Sequence, residues 1–271
     1  MLCKSVDQYM VAGCRTVEGI LQDSGISTAR ILAGQAIAVR AKTKKEDTMN
    51  TEISYNLTAT FPAALLAAVA AHMAKQDIRY FLNGMLLERT QAGKMRAVAS
   101  DGYGLCIAVH DRCNVPETWE PIIIHRTVVE SVLKVAKNDA DVSLTAHGAS
   151  AMQCETLASV DGTTFASQAI DAKYPNYRAM LDTEYEGIAA NMVSAALISR
   201  IGEQCKALKK AGAGVMHSGA SLLGVSGNEG IGFRLHGYEE QGLSIGGVMM
   251  TLRMSQEDVT ATRDLSVLLA A

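Results

Sequence analysis

One pattern occurs twice between residues 53 and 170: a strand, a helix, then three strands. In the first copy, Ile53 to Thr60 alternates apolar and polar residues, as a half-buried strand does. Pro62 suits the first turn of a helix, and the Ala/Leu-rich run after it predicts a helix to about Ala74. Tyr80–Glu88, Met95–Ala99 and Leu105–His110 read as strands, with turn signals at Gln91-Ala92-Gly93 and Asp101-Gly102. In the second copy, Pro121–His125 opens as an apolar strand. Val128, Val129, Val132, Leu133 and Val135 then fall at helical spacing within Arg126–Asn138. Val142–Thr145, Met152–Leu157 and Thr163–Ala169 follow as strands. Such a duplication restricts the chain to an α+β fold, with two helices over one face of a sheet and the other face outside.

A third unit is shorter. Asn191–Ala211 reads as a helix ended by Gly212. Strand candidates follow at Ala213–His217, Ser221–Val225, Gly230–Leu235 and Gly247–Met254. Residues 185–254 have room for about one and a half repeats, where a full domain needs two.

Composition narrows the function classes. With 48% hydrophobic residues, a packed core is available. The longest Ala/Leu run, residues 62–71, is too short to span a bilayer and reads as a buried helix. Met1–Arg15 shows no basic-then-apolar export pattern, so a cytoplasmic location is expected. The six cysteines, Cys3, Cys14, Cys106, Cys113, Cys154 and Cys205, form no Cys-x-x-Cys pair, which argues for free thiols and against zinc. The net charge of −3 is unlike that of a simple DNA-binding domain, but allows positive charge confined to one surface.

Residues 1–48 share none of the repeat pattern. Lys-Glu codons, as at Lys45-Glu46, can spell the purine-rich AAGGAG of a bacterial ribosome-binding site, so Met49 is expected to be the true start. The alternative is a genuine extension, with a weakly amphipathic helix from Gly19 through Ala33. Intact-mass measurement of the native protein separates the two. Without the seven basic and five acidic residues of that segment, 18 basic and 23 acidic residues remain, a net of −5.

Three motifs run in order from Met73 to Leu105: Gln76-Asp77-Ile78-Arg79-Tyr80, Leu82-Asn83-Gly84, and Ser100-Asp101-Gly102 with Leu105 after it. Together they closely resemble the middle domain of the bacterial DNA polymerase III beta subunit, the sliding clamp. Tyr174-Pro175-Asn176-Tyr177-Arg178 resembles the family's linker after that domain, and Val248–Met254 resembles its C-terminal end. The resemblance is strong over 53–182 and weak over 185–254. It implies a DNA-clamp fold whose duplicated units form ring domains with helices facing the hole. It divides the chain into an unmatched extension (1–48), a middle-type domain (49–184) and a reduced C-terminal-type domain (185–271), with the tail 255–271 unexplained.

The same resemblance implies a processivity factor that encircles double-stranded DNA without sequence preference. Phosphate attraction would fall to cations on the helices. Those are Lys75 and Arg79 near the first helix, Arg126, Lys134 and Lys137 on the second, and Arg200, Lys206, Lys209 and Lys210 on the third. Each alone is commonly just a solvated surface residue. Arg79 also sits at a helix–strand junction, where a structural role competes. The resemblance further implies an apolar pocket that holds short peptides of DNA polymerase and clamp loader. Its residues carry over as Leu82, Ser100, Gly102, Leu105, Pro175, Met180, Met250, Leu252 and Met254. Flexible Met and Leu side chains suit several peptides, and an ordinary buried core is the alternative. The chain departs from the family at Gly104 and Ala179, each in place of a common arginine, and at Thr251, in place of proline.

Catalytic readings are poor. Cys106 and His110 share a strand face by alternation alone, the histidines form no metal motif, and the Gly-rich run from Gly212 to Gly227 lacks the Gly-Lys-Ser/Thr ending of a phosphate loop. No enzyme activity, cofactor or metal is expected. A clamp of this size is expected to be a homo-oligomer, a trimer or a dimer. The rival is a clamp-like peptide-binding module or decoy that closes no ring, or a decayed clamp copy.

Overall fold

The computed structural model describes residues 55–252, apart from 138, 182–191 and 225–229. The expected extension 1–48, the tail 255–271 and Met254 lie outside the described residues. The strand–helix–three-strand unit appears three times. The first is β1 (Tyr55–Pro62), α1 (Ala63–Ala70), β2 (Gly84–Arg89), β3 (Met95–Ser100) and β4 (Gly104–His110). The second is β5 (Ile122–His125), α2 (Arg126–Val135), β6 (Asp141–Gly148), β7 (Cys154–Val160) and β8 (Thr163–Gln168). The third is β9 (Met192–Val193), α3 (Ala195–Lys210), β10 (Gly219–Gly224), β11 (Gly230–His236) and β12 (Leu243–Leu252). The last unit is therefore a single repeat over its described residues, rather than one and a half.

The first two repeats exchange their opening strands. β1 crosses to pair antiparallel with β6, giving the sheet β1-β6-β7-β8, and β5 crosses to pair with β2. The third repeat joins the resulting β5-β2-β3-β4 sheet through its last strand. β12 pairs antiparallel with β4 from Leu243↔His110 to Met249↔Gly104, and the sheet continues through β11 to β10. One core lies between the helices and the inner sheet faces. α1 forms its centre: every residue from Ala63 to Val69 is buried, and the helix carries no polar side chain. A helix apolar all round needs cover on all sides, and α2 and α3 both pack against it.

Several boundaries differ from the sequence expectation. The first helix ends at Ala70 instead of Ala74, and Pro62 closes β1 and caps the helix rather than lying in its first turn. Tyr80–Asn83 is a 3-10 turn and the strand starts at Gly84. The cause is local: the Asp77 N–H donates to Asn83 Oδ1 (2.9 Å) and Asn83 Nδ2 donates back to the Asp77 carbonyl (2.9 Å). Ala213–His217 is not a strand. Gly212 turns the chain at φ +89° and the Ala213 N–H closes back on the Leu208 carbonyl (2.9 Å), so this stretch wraps the end of α3.

Candidate partner-binding groove and helical layer

Strand alternation divides the eight-stranded sheet into two chemically distinct faces. Cys106, Ala108 and His110 of β4 point to the helices; Leu105, Ile107 and Val109 point outward. On the outer face, Leu82, Leu86, Val98, Leu105 and Ile123 form a second apolar cluster with Tyr174 and Tyr177 of the linker after β8. Leu82 and Leu105 are buried there beneath the linker.

A buried carboxylate holds that linker down. Glu88 accepts from Arg178 Nη2 (2.8 and 2.9 Å), from Arg96 Nη1 (2.8 Å) and from the Tyr177 hydroxyl. Arg178 also stacks 5.2 Å from the centre of the Tyr177 ring. Burial and the Glu88 charge both raise the Tyr177 pKa, which keeps the phenol a donor. Sequence reasoning did not assign Glu88 a role. A lone acid in the otherwise apolar run Met85-Leu86-Leu87, before a linker ending in Tyr-Arg, was the available signal.

Beside this cluster lies a groove of about 550 Å³, across the junction of β4 with β12 and β11. Ile107, Val109, Leu181, Leu223, Phe233 and Arg234 line it. Two outward positions in its floor are Gly232 and Gly246, so bare backbone forms the bottom where side chains would fill it.

The eight carried-over pocket residues among the described ones fall around this region but do not line the groove. Leu82 and Leu105 floor the neighbouring cluster. Ser100 ends β3 opposite Leu105, and its Oγ accepts from the Gly102 N–H (3.0 Å), where the turn passes φ +88°. Met250 lies beside this turn, its N–H donating to the Tyr103 carbonyl (2.8 Å), with an exposed side chain. Pro175 and Met180 are exposed on the linker, and Leu252 is half-exposed at the end of β12. Met254 lies outside the described residues.

The nine cations divide into two groups. Four are engaged. Arg79 pairs with Asp77 (2.8 Å) and reaches the Asp101 carbonyl (3.3 Å). Arg126 donates to the Met73 (2.8 Å) and Ala74 (3.1 Å) carbonyls and pairs with Glu130 (2.6 Å). Arg200 pairs with Asp101 (2.5 Å), and Lys210 donates to the Leu133 carbonyl at the end of α2 (3.2 Å). Lys75, Lys134, Lys137, Lys206 and Lys209 are exposed and make no ion pair among the described residues.

Where α3 meets the first repeat, polar groups are buried. Gln204 donates to the Ala68 carbonyl and to Cys106 Sγ (3.2 Å). His72 stacks on Phe233 with ring centres 5.7 Å apart, and neither ring nitrogen is hydrogen-bonded. Burial first, then the nearby Arg200 cation, pushes its pKa down to about 4, so the ring is neutral at pH 7. Burial opposes ionisation of Asp101, but the Arg200 guanidinium and the Tyr103 and Gly104 N–H groups outweigh it and hold the carboxyl below its usual range. Gly104, where the family commonly has arginine, faces this seam. A Cβ there would already touch Leu197, Arg200 and His72 at 3.5–3.7 Å, and a longer side chain would collide. No group of metal-ligating side chains occurs among the described residues, and no described helix is long and apolar enough to cross a membrane.

Comparison with known proteins matches this architecture. The family model for the DNA polymerase III beta subunit, central domain, matches residues 57–176. The beta sliding clamp of Pseudomonas aeruginosa is 32% identical over 111 residues, 40% of this chain and 28% of that protein. The beta sliding clamp of Vibrio cholerae is 28% identical over 175 residues, 59% of this chain and 46% of that protein. The chain thus spans less than half the length of these curated relatives. Among solved structures, a DNA polymerase sliding clamp from Pseudomonas aeruginosa superposes with a TM-score of 0.54 at 17% identity, covering 83% of this chain and 76% of that one. The DNA polymerase III beta subunit from Thermotoga maritima gives 0.51 at 13% identity with the same coverage. Family motifs, repeat topology and structural likeness agree: residues 57–176 are similar to the central domain of the DNA polymerase III beta subunit, and the fold is that of the sliding clamps.

Proposed function

We propose that this chain is a non-catalytic clamp-type binding module that takes short apolar peptides of replication proteins on its outer sheet face. The observation that carries this reading is the groove across the β4–β12 junction, with its glycine floor and its border on the Leu82–Leu105 cluster. An extended peptide placed there meets apolar walls from both the first and third repeats and the linker residue Leu181. Such grooves give micromolar affinity for short peptides, because the peptide must be ordered on binding.

Fluorescence anisotropy with a labelled peptide of the clamp-binding pattern, Gln then Leu with a terminal Leu-Phe, tests it. Leu181→Ala and Leu223→Ala truncate partly exposed side chains that line the groove, so both variants should fold. Leu181→Ala should weaken binding roughly tenfold and Leu223→Ala roughly threefold, as loss of apolar contacts does. Unchanged affinity in both folded variants would remove the groove from the binding site.

The second reading is DNA encirclement by an oligomer. The exposed lysines Lys75, Lys134, Lys137, Lys206 and Lys209, on or just beyond the helices, favour it as a non-specific phosphate-facing layer. A ring would be retained on nicked circular DNA and slide off short linear duplexes, given a loader. Equal retention on both would exclude it.

A further inference from the structure

The outer groove selects its occupant by chemistry. Ile107, Val109, Leu181, Leu223 and Phe233 give it apolar walls. One charge stands among them, Arg234, whose side chain is 59% exposed and whose ion pair with Glu239 is long, at 3.8 Å. Bare backbone at Gly232 and Gly246 lets an extended segment lie close to the sheet. At about 550 Å³ the groove has the size of an ordinary ligand pocket. The matching ligand is an extended run of aliphatic side chains with an acid at one end.

The strand that floors the groove leads to such a run. β12 contributes Ser244, Ile245, Gly246 and Gly247 to the groove and continues to Leu252, where the described residues end. The sequence from 253 to 263 is mostly polar, and Asp264-Leu265-Ser266-Val267-Leu268-Leu269 follows it. In an extended segment alternate side chains share a face, so Leu265, Val267 and Leu269 can act together. The spacing also suffices. β12 advances about 20 Å from Gly246 to Leu252, and residues 253–263 span up to about 36 Å when extended. The segment can therefore return along β12 to the groove of its own chain.

We propose that residues 264–269 occupy this groove in the same chain, with Leu265, Val267 and Leu269 toward its apolar walls and Asp264 toward Arg234. The inference rests on the peptide reading of the groove and adds its regulation: the tail is a competitor that an incoming peptide must displace. Tethering makes the contact intramolecular. A short spacer gives an effective concentration on the order of millimolar, so even a weak tail contact holds the groove against micromolar peptides. A groove filled by the tail about nine-tenths of the time binds an external peptide with a Kd roughly tenfold higher than an empty one.

Fluorescence anisotropy on the full chain tests the proposal with two labelled probes: the clamp-pattern peptide, Gln then Leu with a terminal Leu-Phe, and a synthetic peptide of residues 263–270. The wild type is compared with the full-chain variant Leu265→Ser/Val267→Ser/Leu269→Ser, with an unchanged circular dichroism spectrum as the check on folding. Both probes should bind the variant roughly tenfold more tightly than the wild type. Leu181→Ala or Leu223→Ala added to the variant should weaken the tail probe. Asp264→Lys alone should give a smaller gain, about threefold, through lost attraction to Arg234. A variant that binds the clamp-pattern peptide no better than the wild type overturns the proposal and leaves the peptide reading standing. A tail probe that binds neither protein overturns it as well. A variant that binds the tail probe but not the clamp-pattern peptide supports tail docking and defeats the peptide reading. A gain that appears only at high protein concentration overturns the intramolecular contact in favour of the groove of a second copy.

Discussion

The first two repeats and the third solve the same problem with different means. The first two cross their opening strands over each other, and their helices are packed side by side within one core. Among the described residues the third has no sister, its β9 pairs with the end of β12, at Thr251↔Val193 and Leu252↔Met192, and nothing pairs with the outer edge of β10. What stability it has comes from leaning on the first repeat, through β12 on β4 and α3 on α1. The third repeat thus exposes two leucines on a strand, and its seam with the first buries a glutamine and a histidine.

Breaking the shared support should have the largest effect. Leu65 is fully buried in α1, the helix against which both α2 and α3 rest. Leu65→Ala removes apolar burial and leaves a cavity, at a cost of about 3 kcal/mol. Urea denaturation should show the loss in the paired repeats, and hydrogen exchange should show that β11 loses protection with them. If β11 kept its protection, the third repeat would stand by itself and the contrast would fail.

Acid should then separate the seam from the paired core. The His72 pKa is pushed from about 6.5 down to about 4 in the folded protein. The unfolded chain therefore binds a proton at a pH where the folded ring does not. Stability from this group is complete above pH 6.5 and is lost as pH falls from 6.5 toward 4, by about 3 kcal/mol in all. His72→Phe keeps an aromatic ring to stack on Phe233 and removes the titration. Its melting temperature should fall less than the wild type's between pH 7 and pH 4.5. Parallel curves for the two proteins would show that His72 is not buried neutral at the seam.

How much of this was legible in sequence follows from the range of the interactions. The duplicated strands of the middle unit were readable because alternation and turn signals such as Asp101-Gly102 are local. The start of β2 was misplaced because Asp77 and Asn83 hydrogen-bond across six residues and pull the chain into a turn, which alternation cannot reveal. Ala213–His217 read as a strand because its residues alternate, but Gly212 and the Leu208 carbonyl commit it to the end of α3. Of the apolar cluster beside the groove, Leu82 and Leu105 could be found from the motifs around them. The groove could not, because it is made by side chains that Gly232 and Gly246 lack and by strands well over a hundred residues apart. The engaged cations were equally hidden: Arg200 is 99 residues from its partner Asp101.

The smallest effect on stability is expected on the helical layer, and it bears on what the third repeat adds. Lys206 and Lys209 belong to α3, while Lys134 belongs to α2 of the paired repeats; all three are exposed. Surface substitutions of this kind change stability by less than about 0.5 kcal/mol, so Lys206→Ala/Lys209→Ala and Lys134→Ala should melt like the wild type. If the layer faces DNA, binding to non-specific duplex should weaken with salt. Each lost phosphate contact should lower the slope of log affinity against log salt by about 0.9. The α3 pair should then reduce the slope by about 2 and Lys134→Ala by about 1, since two contacts and one contact are removed. A slope that changes for Lys134 alone would confine the DNA-facing role to the paired repeats and leave the third repeat to complete the outer groove. No change for either variant would take the lysines out of DNA binding altogether.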